Sequence, residues 1–383
     1  MIEINGQSYI AGNWITPEGK TFQSFNPYNK QAMYRFSSCG AGEIEQATRA
    51  AENAFHQYRN LDGQTTGLFL NTIADEIEAL GDQLLEVCDS ETALGLVRLT
   101  GERGRTCGQL RAFAELVIKG EWVQASIDTA IPDRAPVPKP DLRRMMRAIG
   151  PVAVFGASNF PFAFSTLGGD TASALAAGNP VIVKGHPAHP ATSELFAHAI
   201  AKAIAKCDLP AGVFSLLQGV GNELGSGLVK HPVIQAVGFT GSEGGGRALM
   251  DIAAARPEPI PVYAEMGSIN PLFVGPNTLQ AQAESIATGL SGSVCMGTGQ
   301  FCTSPGIVVS VANEVFKTTL KDKLNEAPRG YLLNPQIAAS LQASLENLNN
   351  HPQLDWLNRA EFEAGSMTPP NAVFAISAEH FLA

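Results

Sequence analysis

Residues 151–187, PVAVFGASNFPFAFSTLGGDTASALAAGNPVIVKGHP, decide the fold class of this chain. The stretch predicts a strand, PVAVF, then the loop GASNFP, a helix of small residues and a second strand, PVIVKG. The alternation continues through a helix near 191–206, the strand VFSLLQG, a helix near 221–229 and the strand IQAVGFTG. Short apolar strands that alternate with helices predict an α/β fold with a parallel sheet covered on both faces.

The sequence on either side of this region predicts further strands, helices and one extended segment. Residues 1–36 have the short apolar runs and turn residues typical of strands. Residues 121–147 are rich in Pro, Asp and Arg without a period, which predicts an extended arm. Helices are predicted over 43–59, 66–88, 90–118, 243–256, 278–292, 313–326 and 335–348, and further strands in PVYAEMGSINPLFVG, VCMGTGQFCTSPGIVVSV and AVFAI.

The composition is that of an ordinary globular protein and disfavours several classes of function. Of 383 residues, 45% are hydrophobic and 16% are charged, and the net charge of −10 disfavours binding to nucleic acid. No apolar stretch approaches the roughly 20 residues of a membrane span. The six cysteines form no CxxC pair, so neither a metal site nor a disulfide framework is predicted. Reduced thiols of this kind predict a cytoplasmic location.

Two loops that follow predicted strands carry candidate functional residues, because parallel sheets bind ligands at the carboxyl ends of strands. In SNFP, Asn159 can donate its amide to a developing oxyanion, or it belongs to an ordinary turn. In VIVKGHP, Lys184 can bind cofactor hydroxyls or phosphate, or it reaches solvent where the strand ends. We expect His186 and His189 in this loop to be exposed rather than to form a metal pair.

Two further segments carry candidate chemistry. In GFTGSEGGG, residues 238–246, a strand runs through glycines into a helix, where backbone N–H groups can bind a pyrophosphate; a flexible turn has the same composition. Cys302 lies in the loop GQFCTSP, where a thiol can be exposed and activated. Glu265, in EMGS, can act as a general base. A single cysteine taken alone is more often a small buried apolar residue.

The order of these motifs resembles the aldehyde dehydrogenase superfamily. SNFP, VKGHP, GFTGS, EMGSINP and GQFC follow one another within about residues 140–310. The chain is similar above all to the bacterial 2-oxoglutarate semialdehyde dehydrogenases, with NADP-dependent long-chain aldehyde dehydrogenases as the alternative. The segments that carry this similarity are SETALGLVRLTGERGRT (90–106), RAPVPKPDLRR (134–144) and ARPEPIPVYAEMGSINP (255–271).

The resemblance implies three parts and a catalytic set. A Rossmann-like NAD(P)-binding domain is expected over 1–120 and 148–264, an extended oligomerisation arm over 121–147, and an incomplete α/β catalytic domain over 265–383. Cys302 matches the nucleophile that forms a thiohemiacetal and then a thioester, and Glu265 matches the base that activates water. Asn159, with the backbone N–H of Cys302, matches the donor to the oxyanion.

The resemblance also implies a cofactor site for NADP or NAD. Lys184 matches the residue on the adenosine ribose, and Phe155 is placed in the same site. Many members that prefer NAD have a glutamate three residues after this lysine, where the present chain has Pro187, so we expect NADP to be accepted. The loop and helix start under the pyrophosphate are Gly241, Ser242, Glu243, Gly244, Gly245 and Gly246.

The implied substrate is a small aldehyde. An acidic semialdehyde needs a cation, for which Arg98 is the first candidate and Arg105 the second; both can equally face solvent or a subunit interface. A homodimer or homotetramer is expected for the full-length form. No segment of the EEVFGP type is present, so we expect the chain to be truncated and poorly active or inactive. Two alternatives stay open: a remnant that only binds nucleotide, and an acylating enzyme that transfers its acyl group to coenzyme A.

Overall fold

The computed structural model describes residues 1–358 and 361–382, and the chain forms two compact units. Unit 1 comprises Met1–Ser24, Met33–Cys88 and Leu96–Glu265. Unit 2 comprises Phe25–Ala32, Asp89–Gly95 and the chain from Met266 onward. The change from one unit to the other therefore falls directly after Glu265, and the functions expected for the two parts stay predictions.

The first half of the chain consists of short strands, four helices and an arm. The strands are β1 (Ser8–Ile10), β2 (Asn13–Ile15), β3 (Thr21–Asn26) and β4 (Gln31–Ser37). The helices are α1 (Ala41–Tyr58), α2 (Gly63–Ala79), α3 (Gly81–Thr92) and α4 (Leu96–Lys119). A 3₁₀ turn (Glu121–Val123), β5 (Ser126–Asp128) and β6 (Leu142–Arg144) follow.

The second half alternates between strands and helices. Its first part contains β7 (Val152–Phe155), α5 (Gly169–Ala176), β8 (Val181–Lys184), α6 (Pro190–Lys206), β9 (Phe214–Leu217), α7 (Glu223–Lys230), β10 (Ala236–Thr240), α8 (Glu243–Ala254) and β11 (Val262–Glu265). Its second part contains β12 (Leu272–Val274), α9 (Pro276–Cys295), β13 (Val308–Ser310), α10 (Glu314–Glu326), α11 (Pro335–Asn349), β14 (Asp355–Asn358), β15 (Val373–Ala375) and α12 (Ala378–Leu382).

Unit 1 is built on a sheet with the strand order β11-β10-β7-β8-β9-β1-β2. The first five strands are parallel, whereas β1 pairs antiparallel with both β9 and β2. All residues of β7 and β9 are buried, as are the first three of β8. Strands buried on both faces have continuous apolar sequences, which is why VAVF, VIV and FSLL predicted them correctly. The predicted α/β fold with a parallel sheet is confirmed.

The helix predicted over 66–88 is in fact two helices, α2 and α3. Its apolar periodicity continues across the break, so the sequence pattern does not reveal it. Gly81, the first residue of α3, has φ of +59°, a conformation that glycine adopts without steric cost. The start of α2 is capped by Asp62, whose side chain accepts a hydrogen bond of 2.7 Å from the backbone N–H of Thr65.

The predicted arm forms a two-stranded antiparallel ribbon in which Ser126 pairs with Arg144. Its apolar side chains are exposed, including Ile127, Val137 and Leu142. A lone ribbon of this size has little core of its own. Its role in oligomer formation stays a prediction.

Unit 2 contains a smaller α/β layer. Strands β12 and β13 pair in parallel, and helices α9 and α10 share an apolar core that includes Leu279, Leu290, Phe316 and Leu320. The two strand-like runs of PVYAEMGSINPLFVG are not partners, because β11 joins the sheet of unit 1 and β12 pairs with β13. Among the described residues, no helix is long and apolar enough to cross a membrane.

A buried carboxylate fixes the amino-terminal segment to unit 1. The side chain of Glu194, in α6, accepts backbone hydrogen bonds from Asn5 at 3.0 Å, Gly6 at 3.1 Å and Gln7 at 3.3 Å. The carboxylate therefore replaces the water that the peptide groups lose on folding.

We predict that Glu194→Ala lowers the free energy of unfolding by about 1–3 kcal/mol, because it leaves the buried N–H of Gly6 and the partly buried N–H groups beside it without this acceptor. Urea unfolding followed by circular dichroism measures the change. Glu115→Ala, at an exposed position of α4, is the control and should change stability little. Equal stability of the two variants would contradict the assignment.

Candidate active site

Four parallel strands of unit 1 end at one edge of the sheet. Phe155 is in register with Lys184 on one side and with Phe239 on the other, and Thr240 is in register with Glu265. Strands β7, β8 and β9 follow one another in one direction, whereas β10 lies on the opposite side of β7. The point at which strand order reverses is where open α/β sheets bind ligands. The loops after β7 and β10 flank this point.

The SNFP loop follows β7 and is closed on itself. The backbone N–H of Ala157 donates to the carbonyl of Phe164 at 2.7 Å. Gly156 has no room for a side chain, since an added Cβ would lie 2.5 Å from Oγ and 2.6 Å from Cα of Ser165. Asn159, near the tip, is half-buried. Its backbone carbonyl accepts a hydrogen bond from the guanidinium of Arg98.

The loop after β8 brings a lysine and two histidines together. Lys184 is half-buried, and burial lowers its pKa to about 8. The expectation of exposed histidines is wrong. His189 is fully buried with Nε2 3.0 Å from the carbonyl oxygen of Ala157, and its ring stacks on the half-buried His186 at 5.4 Å. His189 is also the residue directly before the first turn of α6.

Pro187 lies half-buried in this loop, where it presents no carboxylate. The described residues contain no group of three or more His, Cys, Asp or Glu side chains that could hold a metal ion.

The glycine-rich loop after β10 leads into α8. Ser242 caps this helix, since its Oγ accepts a hydrogen bond from the N–H of Gly245 at 3.3 Å. A Cβ on Gly241 would lie 2.7 Å from the ring of Phe239, whereas one on Gly244 would meet no atom of the described residues within 4 Å. An open helix start with a glycine at Gly244 suits a pyrophosphate, because the first N–H groups of a helix point outward along its axis.

The remaining predicted cofactor residues differ in exposure. Glu243 is exposed with its carboxylate 3.6 Å from Arg247, and Gly246 is a buried residue in the first turn of α8. Phe155 is a core residue, with its ring 6.3 Å from that of Phe239. The loops after β8 and β10 thus fit a dinucleotide, while the geometry gives no direct support for the side chain of Phe155.

Glu265 is the last residue of the edge strand β11 and is exposed. Its backbone carbonyl accepts a hydrogen bond from the N–H of Gly241 at 3.0 Å. This bond joins the candidate base to the start of the glycine-rich loop. A carboxylate at the end of an edge strand is free to reach a substrate or water without a desolvation cost.

Cys302 belongs to unit 2 and lies in a partly exposed turn. Its carbonyl oxygen accepts hydrogen bonds from Oγ of Ser268 and from Nδ2 of Asn270, the latter at 2.7 Å. Nδ2 of Asn270 also donates to the carbonyl of Ser304 at 3.0 Å. The segment after Glu265 therefore restricts the backbone at Cys302 and at Ser304.

The motifs EMGSINP and GQFC were predicted to carry chemistry, but the hydrogen bonds by which Ser268 and Asn270 join them were not. Two polar residues shortly after a candidate base were the sequence feature that could have indicated this contact. Cys88 and Cys107 are fully buried, in contrast to Cys302, and burial raises the pKa of the Cys107 thiol to about 11. Of these three thiols, only that of Cys302 is partly exposed.

Comparison with known proteins identifies a family to which this chain is similar. The model of the aldehyde dehydrogenase family matches residues 14–350. Alpha-ketoglutaric semialdehyde dehydrogenase 2 of Azospirillum brasilense is 46% identical over all of this chain and 74% of its own length. Alpha-ketoglutaric semialdehyde dehydrogenase of Acinetobacter baylyi is 47% identical over 91% of this chain and 67% of its own length.

Solved structures show the same fold. A NAD-dependent benzaldehyde dehydrogenase from Corynebacterium glutamicum has a TM-score of 0.80 at 21% identity, over 97% of this chain and 80% of its own. Betaine aldehyde dehydrogenase from Staphylococcus aureus, in complex with NAD⁺, has a TM-score of 0.80 at 20% identity, over 97% and 76%. With the family match over most of its length and two relatives above 45% identity, the chain belongs to the aldehyde dehydrogenase family.

Proposed function

We propose that this chain oxidises 2-oxoglutarate semialdehyde to 2-oxoglutarate, with NADP or NAD as the oxidant. The observation that carries the proposal is the 46% identity over the whole chain to an alpha-ketoglutaric semialdehyde dehydrogenase. The partly exposed Cys302 and the loops at the strand ends support the same chemistry. Long-chain aldehydes are the alternative substrates.

The cofactor would be held by the loops after β8 and β10. The start of α8 would lie under the pyrophosphate and bind it through the backbone N–H groups of Glu243 and Gly244, since those of Gly245 and Gly246 donate to Ser242. Lys184 would bind the adenosine ribose or its phosphate. When bound, the oxidised nicotinamide supplies the acceptor for the hydride that the aldehyde carbon loses.

The proposed covalent step begins at Cys302. Its thiolate adds to the aldehyde carbon, and the carbonyl oxygen becomes an oxyanion that accepts hydrogen bonds from the Asn159 amide and the Cys302 N–H. Loss of the hydride from that carbon re-forms the carbonyl and leaves a thioester on the sulfur. The two hydrogen bonds from Ser268 and Asn270 support this role, because they restrict the backbone that carries both the sulfur and one donor.

Hydrolysis then releases the acid. Glu265 would take a proton from water as the water oxygen bonds to the thioester carbon, and the carbon–sulfur bond breaks to return the thiolate. The exposure of Glu265 supports this role, since the carboxylate can reach water. A base of this kind favours hydrolysis over transfer of the acyl group to coenzyme A.

The exposed apolar face of the arm supports a homodimer or homotetramer. Ile127, Val137, Leu142 and Met146 are exposed on the ribbon or beside it. Exposed apolar side chains of this kind are stabilised when they pack against another subunit.

We predict that Cys302→Ser abolishes aldehyde-dependent NADPH formation, because a hydroxyl is a far weaker nucleophile than a thiolate. Glu265→Gln should form one equivalent of NADPH and then stop, with the acyl group trapped on Cys302 and visible by mass spectrometry. Cys207→Ser, at the end of α6, is the control and should retain turnover. Turnover by Cys302→Ser would refute the proposal. Formation of acyl-coenzyme A after addition of coenzyme A would show that the chain is an acylating enzyme instead.

Affinity for NADP should fall as the pH rises through about 8, the pKa of Lys184. The lysine is protonated below that pH and attracts a phosphate, and it is neutral above it. Titration calorimetry with NADP between about pH 7 and about pH 9 measures the change. Lys184→Gln should bind more weakly at the lower pH and show a flatter profile. A profile that is the same in both proteins would exclude this lysine from the site.

Pro187→Glu should shift preference from NADP toward NAD by about tenfold or more, because a carboxylate near the ribose repels a 2′-phosphate. The ratio of the two dissociation constants measures the shift. Glu258→Gln, which changes a charge elsewhere on the surface, is the control. A starting protein that already binds NAD much more tightly than NADP would contradict the expectation based on Pro187.

A further inference from the structure

One face of α4 supports the loop that carries Asn159. Arg98 and Glu102 are four residues apart, so both point from the same side of the helix. Oε1 of the buried Glu102 accepts hydrogen bonds from the backbone N–H groups of Phe162 at 2.9 Å and Ala163 at 3.0 Å. The carboxylate thus holds the part of the loop that directly follows SNFP.

Arg98 holds the tip of the same loop. Its guanidinium donates to the carbonyl of Asn159 and lies 5.0 Å from the centre of the Phe160 ring. Nη2 of Arg98 is 3.7 Å from Oε2 of Glu102. Both side chains are largely withdrawn from solvent, with 22% of Arg98 and 4% of Glu102 exposed. Ion pairs in such surroundings are weakly screened and geometrically defined.

A third buried group fixes the start of the loop. Burial lowers the pKa of His189, so the neutral ring donates through Nε2 to the carbonyl of Ala157 at 3.0 Å. The backbone is therefore held before Asn159 by His189, at Asn159 by Arg98, and after it by Glu102. A loop whose backbone is hydrogen-bonded at three positions along its length holds its side chains in a narrow range of orientations.

We infer that Arg98 and Glu102 are positioning residues, which set the Asn159 backbone so that its amide meets the oxyanion. This inference rests on the proposed function, in which Asn159 is an oxyanion donor. It differs from a role for Arg98 as the ligand of the substrate carboxylate. A substrate carboxylate on Arg98 would compete with the Asn159 carbonyl and would lie close to the like charge of Glu102.

The expected effect is on the rate of the covalent step. A misplacement of about 1 Å at a reacting group costs roughly 100-fold in rate, and loss of a whole oxyanion donor costs about 100- to 1,000-fold. Arg98→Met should therefore lower kcat about 10- to 100-fold, equally for 2-oxoglutarate semialdehyde and for a neutral aldehyde of similar length. Arg98→Lys should recover only part of the loss, because an ammonium lacks the fork geometry of a guanidinium.

A double-mutant cycle separates the two roles of Arg98. If Arg98 acts through Asn159, Arg98→Met should lower kcat by less than about threefold when Asn159→Ala is already present. The matched control is Arg103→Met, because Arg103 lies on the same helix and its guanidinium donates to the Gly81 carbonyl at 2.9 Å, away from the loop. Full additivity, or a rise in KM confined to the charged aldehyde, would overturn the inference.

A measurement without turnover tests the same loop. Hydrogen exchange of peptides that span 156–164 should be faster in Arg98→Met and Glu102→Gln than in the unsubstituted protein, with the rest of the sheet unchanged. Arg103→Met should not change exchange in this segment. If the variants exchange faster but the unsubstituted protein oxidises no aldehyde, Arg98 and Glu102 still hold the loop and the proposed function is rejected. Unchanged exchange in both variants would reject the inference itself.

Discussion

The candidate site depends on the common register of three parallel strands. Phe155 of β7 is opposite Lys184 of β8 and Phe239 of β10, so the three strands end at nearly the same level. Because the strands are parallel, each continues into a loop at the same edge and then into a helix. Because these strands are buried on both faces, no alternation of apolar and polar residues fixes their register, and packing on the two faces of the sheet has to set it.

The backbone of the loops at this edge needs hydrogen-bond partners that the sheet does not supply. A loop that carries function has peptide groups outside the ladder, and buried peptide groups need donors or acceptors. In unit 1 these partners are the side chains of Glu102, Arg98 and His189 around the SNFP loop. In unit 2 they are Ser268 and Asn270 beside Cys302. The same physical solution thus recurs in both units: polar side chains restrict a short loop.

The two halves of the predicted chemistry meet in the sequence at one position. Glu265 ends β11 in unit 1, and the next residues, from Met266, begin unit 2 and include the two side chains that bind the Cys302 carbonyl. The segment EMGSINP therefore carries the candidate base and the supports of the candidate nucleophile within seven residues. The strands on either side of it, β11 and β12, belong to two different sheets, which explains why periodicity alone could not assign their partners.

The sequence by itself determined the α/β fold and the parallel strands, because short apolar runs are local properties of the chain. The order of the motifs along the sequence also identified Asn159, Lys184, Cys302 and Glu265 as candidates. It did not show the break between α2 and α3, because the apolar periodicity continues across Gly81, whose backbone has a positive φ. Only the tertiary structure decided that His189 is buried and that Arg98 and Glu102 hold the SNFP loop. Those contacts join residues 32 and about 60 positions apart, and no local pattern records which carbonyl or N–H a distant side chain will meet.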